Sequence, residues 1–134
     1  MTGVAPHPAD SPTRRDQSPK ALAAFFSIAG KWRLLTEEQI VLLGSPARST
    51  YFKWKREGGL PPRDTLERIS YLLGIYKALH IIFADDATAD AWIRKPNMGP
   101  LFGGRSALEV MLGGNVLDLL NVRRYLDAQR GGWS

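Results

Sequence analysis

Apolar residues recur three and four positions apart through most of the chain, and clusters of Gly and Pro interrupt them. Leu22, Phe25, Phe26, Ala29 and Trp32 predict a first amphipathic helix, with Pro19 at its opening position and Ser18 as its cap. Thr36, followed three residues later by Gln39, predicts a capping box for a second helix through Ile40 and Leu43 to Gly44, where a left-handed turn is expected. Ser45 and Pro46 predict an immediate restart, as cap and first helical residue, of a third helix from Ala47 to Arg56 that Gly58 and Gly59 end. Two short helices joined by a three-residue turn containing Gly have the helix-turn-helix pattern.

After Pro61 and Pro62 a long helix is expected from Asp64, with Glu67 completing a further capping box. Leu66, Ile69, Leu72, Leu73, Tyr76, Leu79, His80 and Phe83 mark its broad apolar face, which suits a spine joining two halves. Gly74 interrupts it at a cost of roughly 1 kcal/mol relative to alanine, so a close helix contact or a kink is expected there. Asp85 or Asp86 caps a short helix ending near Arg94, with Trp92 in the core, and Pro96 then breaks the element. A Gly/Pro loop follows over residues 98–105. Ser106 and Glu109 form a capping box, Gly113 and Gly114 stop that helix, and Asn115 caps another with Asp118 near its positive end. Residues 121–129 predict a helix with Val122, Tyr125 and Leu126 inward and Arg123, Arg124 and Asp127 outward, followed by a tail over 130–134 that does not continue it.

The expected fold is all-α: a helix-turn-helix unit joined by a long helix to a small helical domain. The boundaries are a flexible tail over 1–17, the helix-turn-helix over 18–62 and the second domain over 63–134. With 134 residues and 44% hydrophobic composition the chain can bury one shared core. It has no cysteine, which removes disulfides, thiolate catalysis and zinc-thiolate sites and fits a reducing compartment. Neither a membrane span nor a signal peptide is legible, so a soluble, cytoplasmic protein without membrane contact is expected.

The net charge of +5 is unevenly spread. Residues 31–63 hold seven basic and three acidic side chains, whereas residues 64–122 hold five basic and seven acidic ones. A regional surplus of this kind suits a segment facing phosphates. In the third helix, Ala47, Tyr51 and Trp54 share one face, which turns Arg48, Ser49, Phe52, Lys53, Lys55 and Arg56 outward. Arg48 and Ser49 occupy the first turn, the part of a recognition helix that enters the major groove, and arginine can pair two donors with guanine. Thr50, Lys53 and Lys55 complete the candidate DNA-binding set; a basic solvated packing helix is the alternative.

Catalysis has no constellation to support it. His7 lies in the expected tail, and His80 sits on an apolar face as a core histidine without an evident partner. Asp85, Asp86 and Asp90 suit helix caps and first-turn carboxylates better than a metal site, and Gly103-Gly104 lacks the lysine of a phosphate loop. No catalytic residue, metal or cofactor is expected.

The order W-I-x-K-P-N from Trp92, F-G-G-x-S-A-L-E-V-M-L-G-G from Phe102 and V-R-R-Y-L-D-A-Q-R-G-G-W from Val122 resembles the C-terminal domain of the Xre/MbcA/ParS antitoxin family, with similarity from about Ala21 onward. The resemblance implies an antitoxin whose partner is a RES-domain toxin that destroys NAD, and whose C-terminal region covers the toxin's NAD pocket. It implies toxin contact by Arg123, Arg124, Asp127, Arg130, Trp133 and Ser134 with its terminal carboxylate. It also implies operator DNA bound by a homodimer, higher-order assembly with the toxin, and autorepression of the operon. A stand-alone helix-turn-helix regulator whose C-terminal region only dimerises is the competing class, and a scaffold that localises a partner is a third.

Overall fold

A computed structural model describes the backbone of residues 12–131 and the side chains of residues 20–131. The described residues form seven α-helices and one isolated backbone bridge, Pro96 to Ser106, in place of any strand. The helices are α1 (Pro12–Lys31), α2 (Thr36–Leu42), α3 (Arg48–Glu57), α4 (Arg63–Ile82), α5 (Asp86–Ala91), α6 (Ala107–Met111) and α7 (Val116–Gly131), with a 3-10 turn over Trp92–Arg94. The all-α expectation therefore holds.

The first helix begins at Pro12, upstream of the expected Pro19 start, so Ser18 lies inside the helix and cannot cap it. Its apolar stripe buries Leu22, Phe25, Ala29 and Trp32, with Phe26 half-buried. The end of α1 turns through Arg33, whose φ of 54° is unusual for a side chain with a Cβ. Arg94, from the other half of the chain, donates to the carbonyls of Trp32 (3.1 Å) and Arg33 (2.8 Å), satisfying acceptors that the helix leaves open.

The capping of α2 differs from the expected Thr36–Gln39 box. Glu38 accepts from the Leu35 N–H (2.8 Å), and Gln39 is buried, donating to the Leu34 carbonyl (3.0 Å) and accepting from the Tyr51 hydroxyl (2.6 Å). Burial explains the change: a buried amide must find partners wherever the packing supplies them. Gly44 (φ 100°) makes the expected left-handed turn, but Ser45 (φ 60°) shares it, donating to the Ile40 carbonyl at 2.9 Å in a Schellman arrangement. The connection consequently runs over residues 43–47, longer than the expected turn, and α3 is capped at Ala47 and not at Ser45. Ala47 is exposed, so Tyr51 and Trp54 alone anchor the inner face of α3.

Helix α4 is the spine, packed against α1 on one side and α7 on the other. It starts after Pro62, and the expected Asp64–Glu67 box is absent: Asp64 pairs with the buried Arg68 at 3.0 Å, and Glu67 accepts from the Tyr71 hydroxyl at 2.9 Å. That hydrogen bond holds the Tyr71 phenol above its ordinary pKa. Because the helix is covered from two sides, Ile75 and Ala78 are fully buried in addition to the expected Ile69, Leu72 and Leu79. Thr65 donates to the Leu43 carbonyl (2.8 Å), tying the spine to the end of α2.

Beyond α4 the chain folds around one aromatic cluster. Phe102 is fully buried, edge-on to both Trp92 (6.0 Å) and Tyr125 (5.0 Å), and the 98–105 loop is closed by Asn97 N–H to Arg105 O and Gly104 N–H to Asn97 O bonds. Burying each large apolar side chain contributes roughly 1.5–3 kcal/mol, so this cluster anchors a segment with little regular structure. The Ser106–Glu109 capping box forms as expected (3.0 and 3.1 Å). Helix α7 is continuous through Gly131, so Arg130 and Gly131 extend the helix where a tail was expected. At its start Asp118 accepts from the Asn115 N–H at 3.2 Å.

Candidate functional site

Two surfaces collect the candidate residues. On α3, Arg48, Phe52 and Lys55 form one stripe and Ser49, Lys53 and Arg56 the next, all exposed, while Tyr51 and Trp54 turn inward. Thr50 is half-buried at the edge of this face. The tyrosine ring packs against Phe26 (5.8 Å) and its hydroxyl reaches Gln39, which fixes the helix against α1 and α2. Burial lifts the Tyr51 phenol above its ordinary pKa, against a smaller opposing pull from the Thr36 hydroxyl.

The cations on this face are not equally available. Arg48 pairs with Glu37 of α2, its guanidinium 5.4 Å from the Phe52 ring centroid, and Arg56 pairs with Glu57 at 3.2 Å. Lys53 and Lys55 make no ion pair among the described residues. Exposed pairs of this kind are worth at most about 1 kcal/mol, little enough for a phosphate or a guanine edge to displace. Glu37 joins the site without any local signal in the sequence, since it lies eleven residues from Arg48 and on another helix.

The second surface lies where the ends of α4 and α7 meet. Arg123, Asp127 and Arg130 fall on one stripe of α7, with Nε of Arg123 3.6 Å and Nη1 of Arg130 3.7 Å from the Asp127 carboxylate. Together with Ile81, Ile82 and Gly131 they line an open groove of about 800 Å³. Ile81 is 54% exposed, an apolar side chain left facing this groove. Arg124 is exposed one position off the stripe. Trp133 and Ser134, expected to join these residues, lie outside the described residues.

His80 differs from the expected unpartnered core histidine. It is half-buried, with Nδ1 3.1 Å from Asp86 and Nε2 2.7 Å from Asp90, and its ring lies 4.2 Å from that of Tyr76. Each ring nitrogen of His80 thus faces a carboxylate oxygen, a group that can only accept. The Tyr76 hydroxyl accepts from Lys31 (3.1 Å) and in doing so raises the lysine pKa, with the two carboxylates adding to the effect. This cluster fastens α5 to α1 and α4. Asp85, meanwhile, is the α5 cap, accepting from the Thr88 hydroxyl (2.8 Å) and N–H (2.9 Å), which lower its pKa. Among the described residues no group of three or more His, Cys, Asp or Glu side chains could hold a metal ion. Nor is any helix among them long and apolar enough to cross a membrane.

Both surfaces coincide with known domains. Residues 13–74 match the Antitoxin Xre-like helix-turn-helix domain, and residues 78–132 match the Antitoxin Xre/MbcA/ParS C-terminal toxin-binding domain. The chain is also 58% identical over 114 residues to a protein of Sinorhizobium fredii (strain NBRC 101917 / NGR234) called "Uncharacterized protein y4oB", covering 85% of this chain and 87% of that one. The α3 face lies in the first domain and the α7 stripe in the second, an arrangement that points to binding and not to catalysis. The chain belongs to the Xre/MbcA/ParS antitoxin family, as an antitoxin with a helix-turn-helix followed by a toxin-binding domain.

Proposed function

We propose that this antitoxin neutralises a RES-domain, NAD-degrading toxin by placing the end of α7 over the toxin's active site, and that the α3 face binds operator DNA to repress the operon. The observation that carries the first part is the convergence of Arg123, Asp127 and Arg130 with exposed Ile81 at one end of the toxin-binding domain. Arginines beside an exposed apolar side chain make strong interface anchors, and the Asp127 carboxylate between them suits a pocket that receives a dinucleotide's negative charges. Trp133 and Ser134 extend this contact by continuity along the chain.

The α3 face supports the second part. Arg48 and Ser49 stand in the first helical turn with Lys53 and Lys55 behind them, the division a recognition helix requires. A homodimer then presents two such helices to two half-sites. The protein acts in the cytoplasm, where both the operon and the toxin's NAD reside.

Co-expression of this chain with a RES-domain toxin tests the proposal. Intracellular NAD is preserved by the full-length chain and by Arg48→Glu with Lys53→Glu, while the latter variant loses operator binding. A stand-alone regulator would lose every effect with the same charge reversal and would leave NAD falling in all cases.

A further inference from the structure

Between α1 and α4 an open groove of about 540 Å³ runs toward α7 and ends against Arg123. Ala21, Ala24, Leu66 and Leu73 make its floor, and the two leucines are half-buried. Its charged lining consists of Lys20, Lys77 and Arg123, with no carboxylate among the lining residues. Arg123 also lines the groove beside Ile81 and Arg130, so the two depressions form one continuous band over the α4 surface.

Resting on the toxin-binding function above, we propose that this groove seats an acidic, amphipathic segment of the toxin, extending the toxin contact from α7 onto the helix-turn-helix half of the antitoxin. An apolar floor with a cationic rim is matched by a segment that carries an apolar stripe flanked by Asp or Glu. A second copy of this chain is disfavoured, because a two-fold contact would set identical cations opposite each other with no acid in the lining to separate them. Nucleic acid would use the cations but leave the leucine floor unmatched. Position 74 adds a geometric argument. Arg123 crosses α4 there so closely that a Cβ would meet its guanidinium, which holds the cation at the groove instead of in open solvent.

Photo-crosslinking of the full chain co-purified with the toxin tests this, using a crosslinkable residue in place of Ala24 or Leu73, and in place of Ala128 beside Arg124 as the reference. Toxin adducts are expected from all three positions, with those from position 24 or 73 on an Asp/Glu-rich peptide. Toxin adducts from position 128 alone would overturn the groove assignment and leave the α7 contact standing. Adducts from 24 or 73 to a second antitoxin copy, or to this chain's own N-terminal residues, would also overturn it. No toxin adduct from any position would remove the toxin-binding function itself. Independently, Lys20→Glu with Lys77→Glu, both exposed positions, is expected to weaken toxin binding at least ten-fold with an unchanged thermal midpoint; unchanged affinity would contradict the assignment.

Discussion

Gly74 of α4 and Arg123 of α7 are packed so tightly that a Cβ on residue 74 would stand 2.6 Å from the arginine Nε. The glycine lets the guanidinium cross the spine between two grooves, at the expense of helix propensity. The stability and binding consequences of replacing it therefore run in opposite directions.

Gly74→Ala should stabilise α4 by up to about 1 kcal/mol and raise the thermal midpoint by a few degrees, because the methyl displaces only a flexible, part-exposed side chain. Toxin affinity should fall at the same time. Calorimetry on the free antitoxin and on its toxin complex checks both, and a lowered midpoint with intact affinity would show that Arg123 is packed for stability alone.

At Arg48 the expected loss concerns DNA and leaves the toxin untouched. Arg48→Ala removes the first-turn arginine and frees Glu37 to repel phosphate. Operator affinity should fall by about 1–3 kcal/mol, the worth of one bidentate base contact. Glu37→Gln should do the reverse and tighten binding. Gel-shift titration at fixed salt reads both, and equal affinities for all three proteins would take α3 out of DNA recognition.

Removing the Tyr51 hydroxyl as Tyr51→Phe strands the buried Gln39 carbonyl oxygen, and the expected cost is about 1–3 kcal/mol. The pH dependence has a definite sign. Burial raises the folded-state pKa above the unfolded value of about 10, so the tyrosine's contribution is complete below that value and is lost as pH rises through the folded one. Urea unfolding of both proteins should accordingly show a gap that narrows above about pH 10; a gap constant to higher pH would contradict the linkage.

Phe102 anchors the irregular 98–105 loop, and Phe102→Ala should cost about 3–5 kcal/mol. Since it stands between Trp92 and Tyr125, its loss should unfasten the toxin-binding half first. Hydrogen exchange would report early opening of residues 92–131 while α3 stays protected, whereas uniform loss of protection would mean that the two halves unfold as one.

What could be read from the sequence divides by range of interaction. The Ser106–Glu109 box and the Gly44 turn are set by neighbours along the chain, and both form as their spacing implies. The exposed face of Arg48, Ser49, Lys53 and Lys55 is likewise a matter of helical period. The Thr36–Gln39 box failed because Tyr51, twelve residues on, claims the glutamine oxygen. The clamp of His80 by Asp86 and Asp90 depends on how α5 folds back over α4, and the Arg94 contact to α1 spans more than sixty residues. Polar partners brought together by packing leave no periodic trace. Helix α1 begins at Pro12, upstream of its expected start, and so places Pro19 in its interior, where proline is ordinarily disfavoured; no local signal in the sequence accounts for that start.

The most direct test of the account is the rate at which the purified toxin consumes NAD with one equivalent of this chain, full-length or ending at Ala128. The full-length chain is predicted to stop NAD loss, and the shortened chain to bind the toxin yet leave its turnover running. Full inhibition by the shortened chain would contradict active-site cover by the end of α7.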